Sequence, residues 1–127
     1  MVPLVTASIQ GSRLSATERA ALDVTIRTAE QACRAEISVF VGAASGNPRD
    51  FATSLHNTLV LPSRSILIMV DPDRRVVEIV TGGHTRERLT DDESQQAVAA
   101  MTERFAAGDL AGGLTRGIEL LGELAKD

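Results

Sequence analysis

Residues 65 to 82 read Ser-Ile-Leu-Ile-Met-Val-Asp-Pro-Asp-Arg-Arg-Val-Val-Glu-Ile-Val-Thr-Gly. An unbroken apolar run from Ile66 to Val70 stops at Asp71-Pro72-Asp73 and resumes from Val76 to Val80. Five consecutive apolar residues with β-branched members read as a strand covered on both faces. Pro72 presets the backbone for the second position of a tight turn, and the flanking Asp side chains can bond their own backbone. The stretch therefore predicts a β-hairpin at the centre of a sheet, and everything around it can be placed by that hairpin.

Upstream, Ile37 to Val41 forms a second β-run ended by Gly42, and residues 4 to 9 suit a short edge strand. Ser15-Ala-Thr-Glu18 has the spacing of a capping box, in which the hydroxyl takes one orphan amide and the carboxylate reaches back to another. Leu22, Ile26, Ala29 and Cys33 follow at helical intervals, predicting a helix over 16–34 with Cys33 turned to the core. Asn47-Pro48 opens another helix, with Phe51, Leu55 and Leu59 on one face and Pro62 as its stop. Strand, helix, strand with some twenty residues between the strands implies a parallel pair. Downstream, Thr90-Asp-Asp-Glu93 is a second capping box before a helix carrying Val98, Met101 and Phe105. A last helix, over 109–126, is rich in leucine and carries Gly112, Gly113, Gly117 and Gly122, a pattern suited to close approach by a neighbour.

The fold expected is a three-layer α/β/α sandwich, a mixed sheet of three to four strands with a central β-hairpin and four helices, with a ferredoxin-like arrangement as the runner-up. Residues 1–14 form an N-terminal strand or extension, and residues 15–127 a single domain, within the size that one core can stabilise.

Composition narrows the function. Aromatic content is 2%, with three Phe and no Trp or Tyr, which argues against base-stacking platforms and aromatic cages. A net charge of −4 without a basic stripe argues against nucleic acid. One cysteine and two histidines cannot complete a structural zinc site. No segment has the form of a signal peptide or reaches the length of a bilayer span. The chain as given thus reads as cytoplasmic with no membrane insertion; the alternative is a soluble domain of an envelope-anchored or secreted protein.

Strand direction sorts the polar residues into two groups. The carboxyl ends of the parallel strands gather Asn47, Asp50, Asp71, Asp73, Arg74 and Arg75, the usual ligand crevice of an open α/β sheet. There Asp50, Asp71 and Asp73 offer oxygens to a hard cation, while the plainer role of the last two is to shape the turn. The opposite edge gathers Glu36, His56, Asn57, the Gly82-Gly83-His84-Thr85 loop, and Asp91, Asp92 and Glu93. A hydrolytic site there would use Glu36, Asp91 and Asp92 to hold Ca²⁺ or Mg²⁺ and His84 to move a proton, with Asn57, Gly82 and Gly83 touching the ligand. The plainer role of Thr90, Asp91, Asp92 and Glu93 is to cap a helix and meet its dipole. Neither a phosphate-cradling Gly-Lys-Ser/Thr loop nor a Gly-x-Ser-x-Gly elbow occurs.

Taken together, the Glu36-Ile-Ser-Val-Phe-Val strand, the Asp50-Phe-Ala-x-x-Leu-His-Asn helix, the hairpin, the Leu89-Thr90-Asp91 step and the tail Phe105-x-x-Gly-Asp109-Leu-x-x-Gly-Leu resemble the TPM domain, a family named for a thylakoid lumen protein and its phosphatase-like relatives. They are most similar to a small actinobacterial branch known only as a domain of unknown function. The resemblance spans about residues 16 to 125. It implies the same α/β sandwich, and either acid phosphatase activity with calcium or a module tied to a membrane or a partner. Glu36 and Asp91 match the family's acidic positions, and Asn57 its polar helix-end position. Arg34-Ala35 stands where the family has Thr-Gly, the family's Gly-Tyr-Gly-x-Glu is Gly82-Gly83-His84-Thr85-Arg86, and its Trp-x-x-Gly is missing. The expected function is therefore a non-catalytic or vestigial TPM-like domain that binds a protein partner or a small ligand. The alternative is a Ca²⁺- or Mg²⁺-assisted phosphatase-like hydrolase. An exposed apolar docking patch, if the chain has one, would be expected on the glycine face of the last helix.

Overall fold

The computed structural model describes residues 9–10 and 13–126. Its elements run β1 (Ile9–Gln10), α1 (Ala16–Cys33), β2 (Glu36–Val41), α2 (Pro48–Asn57), β3 (Ser65–Asp71), β4 (Val76–Thr81), α3 (Asp91–Ala106) and α4 (Leu110–Leu124), with 3₁₀ turns at Pro62–Arg64 and Thr85–Glu87. Among the described residues the sheet has four strands in the order β1-β2-β3-β4. β1 and β3 both run parallel to β2, and β4 returns antiparallel to β3. Most of the edge strand expected over 4–9 lies outside the described residues.

The hairpin forms in the expected place, and its two strands differ in position. All seven residues of β3 are buried, as the uninterrupted apolar run required. β4 is an edge strand whose first half is only partly covered. Its open side is blunted by Arg49, whose guanidinium donates to the Ile79 carbonyl at 2.7 Å and meets Glu78 at 3.3 Å. A charged cover of this kind keeps an exposed ladder from templating another chain.

Alternate residues of the strands feed two cores. Ile37, Val39, Val41, Ile66, Ile68, Val70 and Ile79 face the layer made by α1, α3 and α4. Leu67, Met69 and Val80 face α2, where Ala52, Leu55 and Leu59 cover them. Phe40 and Phe51 meet edge to face there, with ring centroids 5.5 Å apart. Met101, Leu114, Ile118 and Leu121 are fully buried in the thicker layer, each contributing about 1.5–3 kcal/mol of transfer free energy.

Both capping boxes exist: Ser15 with Glu18 starts α1, and Thr90 with Glu93 starts α3. Asn47 caps α2 through the Asp50 amide. That helix ends at Asn57, and Pro62 opens a 3₁₀ turn where the sequence suggested it would close the helix. The glycine face of α4 is largely core. Gly113 packs on Phe105, Gly117 on Met101, and Gly122 so close to α1 that a Cβ would stand 3.1 Å from the Ala29 Cα. Most of that face is therefore used by the fold, while Gly122 also borders a largely apolar surface groove between α1 and α4, lined by Val24, Thr25, Thr28, Ala29 and Ala32.

Candidate functional site

At the carboxyl end of β2 and β3, the acids and arginines are tied to one another and to the backbone. Asp71 is buried at the end of β3. Its carboxylate accepts from the Ala44 amide at 2.9 Å and the Arg74 amide at 3.2 Å. Those backbone donors, the Ala44 amide first, hold its pKa below the ordinary aspartate range. Arg74 reaches across to the carbonyls of Ala44 at 3.1 Å and Gly46 at 2.8 Å. Asp73 pairs with Arg13. The crevice expected between the β2–α2 loop and the hairpin turn is thus laced shut by Asp71 and Arg74.

The opposite end is open. Three segments converge on it: the α1–β2 corner, the turn before β3, and the loop after β4. A cavity of about 170 Å³ lies among Cys33, Arg34, Ala35, Arg64, His84, Thr85, Arg88 and Ala125. Gly82 sets its shape. The Gly82 amide donates to the Ser65 carbonyl and the His84 amide to the Ser63 carbonyl, each at 3.0 Å. A Cβ on Gly82 would fall 2.0 Å from the Pro62 carbonyl oxygen, so only glycine permits this contact. The clamp fixes Arg64 beside His84 and Thr85. On the other wall, Arg34 ends α1 in the left-handed region at φ 60°, its amide donating to the Glu30 carbonyl. Glycine is the usual residue at such a position, because a Cβ there is crowded.

Cys33 lies 4% exposed in the cavity floor, and burial pushes its thiol up. A thiol held protonated is a poor nucleophile, so Cys33 serves as wall. Beneath the corner, half-buried Glu30 accepts from the Ile37 amide at 2.8 Å, and burial above all raises its pKa. His84 faces the cavity and lies 3.8 Å from the Glu87 carboxylate through Nδ1.

The expected site residues are distributed unevenly over this edge. His84 lines the cavity, while Gly82 is its structural clamp and Gly83 is exposed with open space around it. Glu36 is exposed at the start of β2, and Asp91 and Asp92 are exposed in the first turn of α3. Glu93 is engaged in its capping box. Asn57 is exposed at the end of α2 and is not part of the cavity lining. His56 is buried and donates through Nε2 to the Ser65 carbonyl at 3.0 Å, a structural tie between α2 and β3. Among the described residues, no three His, Cys, Asp or Glu side chains come together as a metal-binding group. Sequence reasoning passed over Arg34 and Arg64. Both were open to it, since one immediately precedes the second β-run and the other the hairpin, on the edge that also holds His84.

The architecture defines a class before it defines a member: a mixed α/β sandwich whose polar opening lies at the amino ends of its parallel strands. The chain belongs to the family described as Domain of unknown function (DUF5130), whose model matches residues 5–122. It is 26% identical over 101 residues to an uncharacterised protein of Mycobacterium tuberculosis, found in the CDC 1551 and H37Rv strains. That match covers 80% of this chain and 60% of the relative, so the chain spans about three fifths of the length of the curated relatives it matches. Among solved structures, it is similar to the NMR structure of the BA42 protein from Bizionia argentinensis, with TM-score 0.78 and 26% identity over 90% of this chain and 82% of that one. The solution structure of the N-terminal domain of a P. gingivalis protein shares the fold at TM-score 0.79 and 18% identity, over 92% and 79% of the two chains. The N-terminal domain of cg2496 from Corynebacterium glutamicum does so at 0.73 and 17%, over 91% and 76%.

Proposed function

We propose that this chain is a TPM-like binding module without catalytic machinery of its own, engaging its ligand at the amino-end edge of the sheet. The observation that carries this reading is the mismatch between the acids and the opening. A hydrolase of the expected kind needs Glu36, Asp91 and Asp92 gathered around a cation with His84 beside them. Instead no carboxylate of the described residues lines the cavity, Glu93 is engaged in a helix cap, and Cys33 is held as a thiol. What remains is a preformed polar recess on a rigid frame, which suits recognition better than turnover.

The test is hydrolysis of p-nitrophenyl phosphate between about pH 4 and 8, the range in which carboxylate and histidine acid–base pairs operate, with and without Ca²⁺ or Mg²⁺. The expected result is no turnover above the blank under any condition. Turnover that disappears in Glu36→Gln or Asp91→Asn would overturn the binding reading in favour of a metal-assisted phosphatase.

A further inference from the structure

Three basic side chains enter the amino-end cavity from three separate segments: Arg34 from the α1–β2 corner, Arg64 from the turn before β3, and Arg88 from the loop after β4. No carboxylate among the described residues belongs to the lining. Among the described residues, the guanidinium groups of Arg34 and Arg64 have no hydrogen-bond or ion-pair partner, whereas Arg88 already has a bonding partner. The chain carries 17 acids against 13 Lys and Arg. In such a chain, two exposed arginines lining one recess with no acid among its described lining residues mark it as a basic spot. Their backbones are also fixed, not loose. Arg34 occupies a left-handed helix end that would suit glycine better, a conformation unfavourable for a residue with a side chain. Arg64 is clamped by the contact of Gly82 with Pro62 and Ser63.

We infer that this recess binds a compact tetrahedral oxyanion, a sulfate or phosphate group, with Arg34 and Arg64 as its principal contacts. The inference rests on the binding-module reading and assigns that module its ligand chemistry. It also reverses the sign of the site that the acidic residues suggested, since the opening is complementary to an anion and not to a cation. Geometry selects the class. A planar carboxylate is satisfied by one guanidinium lying in its plane. Donors arriving from two separate segments, Arg34 and Arg64, suit an ion that presents oxygens in several directions. A cavity of about 170 Å³ has room for one such group and a few waters, each taking about 30 Å³. The His84 ring and the Thr85 side of the loop complete the wall.

The experiment uses the whole chain, titrated at constant ionic strength with sodium sulfate, sodium phosphate, glycerol 3-phosphate, succinate and sodium chloride. It is followed by amide NMR shifts and by melting temperature. The expected result is saturable shifts confined to 33–36, 62–65 and 82–88 with sulfate or phosphate. The melting temperature should rise with the logarithm of anion concentration, as for any ligand bound only by the folded state. Arg34→Gln and Arg64→Gln should each weaken binding roughly tenfold or more, the scale of losing one charge-assisted contact. Arg75→Gln, at the far end of the sheet, should leave it unchanged. Glycerol 3-phosphate separates a free ion from a group on a larger molecule: tighter binding than phosphate assigns the second source, weaker binding the first, and both support the oxyanion. Chloride matching sulfate, succinate outbinding the tetrahedral ions, or full binding in Arg34→Gln and Arg64→Gln would overturn it. The hydrolysis assay is independent: a silent enzyme with no anion binding removes this inference alone, whereas metal-dependent turnover removes the reading beneath it.

Discussion

The two ends of the sheet are made of similar material, short loops carrying acids and arginines, and they differ in where those side chains are spent. At the carboxyl end, Asp71 takes two backbone amides and Arg74 two backbone carbonyls, so charge and hydrogen-bonding capacity are used within the fold. At the amino end, Arg34 and Arg64 face a recess with no acid among its described lining residues. The first end holds loops together and the second keeps capacity available. In an open α/β sheet the carboxyl ends of the strands are the customary ligand crevice. Here that crevice is closed, and the opening has moved to the other edge.

The difference can be tested by injury at each end. Asp71→Ala should have the largest effect on stability. It leaves the Ala44 amide without its buried acceptor, which should cost about 3 kcal/mol by the usual penalty for such groups and be visible in urea unfolding. Gly82→Ala should come next. Its Cβ would overlap the Pro62 carbonyl, costing roughly 2 kcal/mol as overpacking does, and NMR shifts should concentrate around 62–65 and 82–88. Arg34→Gln and Arg64→Gln should change stability least, within about 0.5 kcal/mol, because nothing among the described residues depends on their guanidinium groups. A large loss in either arginine variant would make the two ends alike.

Acid separates the ends further. Asp71 has a lowered pKa in the folded state, so the folded chain binds fewer protons there than the unfolded chain does. Its contribution is fully present above the ordinary aspartate range and is lost as pH falls through the depressed value. Glu30, beneath the amino-end corner, has the opposite sign: burial raises its pKa, so its ionisation opposes folding as pH rises through and above the ordinary glutamate value. Unfolding free energy measured from about pH 2 to 7 should therefore keep its acid-side loss in Glu30→Gln and lose part of it in Asp71→Asn. Equal slopes in the two variants would remove this distinction.

Much of this was readable from the chain as a string. The β3 run, both capping boxes, the Asn47-Pro48 helix start and the inward stripe of α1 follow from local rules, because each depends on residues within a few positions of one another. Topology also sorted the polar residues correctly by sheet end, placing His84 at the edge where the recess lies. The reading weakened where side chains from distant segments had to be compared. Glu36, Asp91, Asp92 and His84 share an edge by topology, and an edge is wide enough that sharing it does not make neighbours.

The sequence by itself determined the three-layer frame, since periodicity, caps and turn residues act over one or two turns of chain and leave the strands few ways to pair. Only the tertiary structure decided which end is occupied and which is open. That outcome depends on whether Asp71 reaches the Ala44 amide 27 residues away, and on how tightly Gly82 lets the Pro62 turn approach. Such contacts are set by angstroms of packing between remote segments, a quantity that no local pattern of residues encodes.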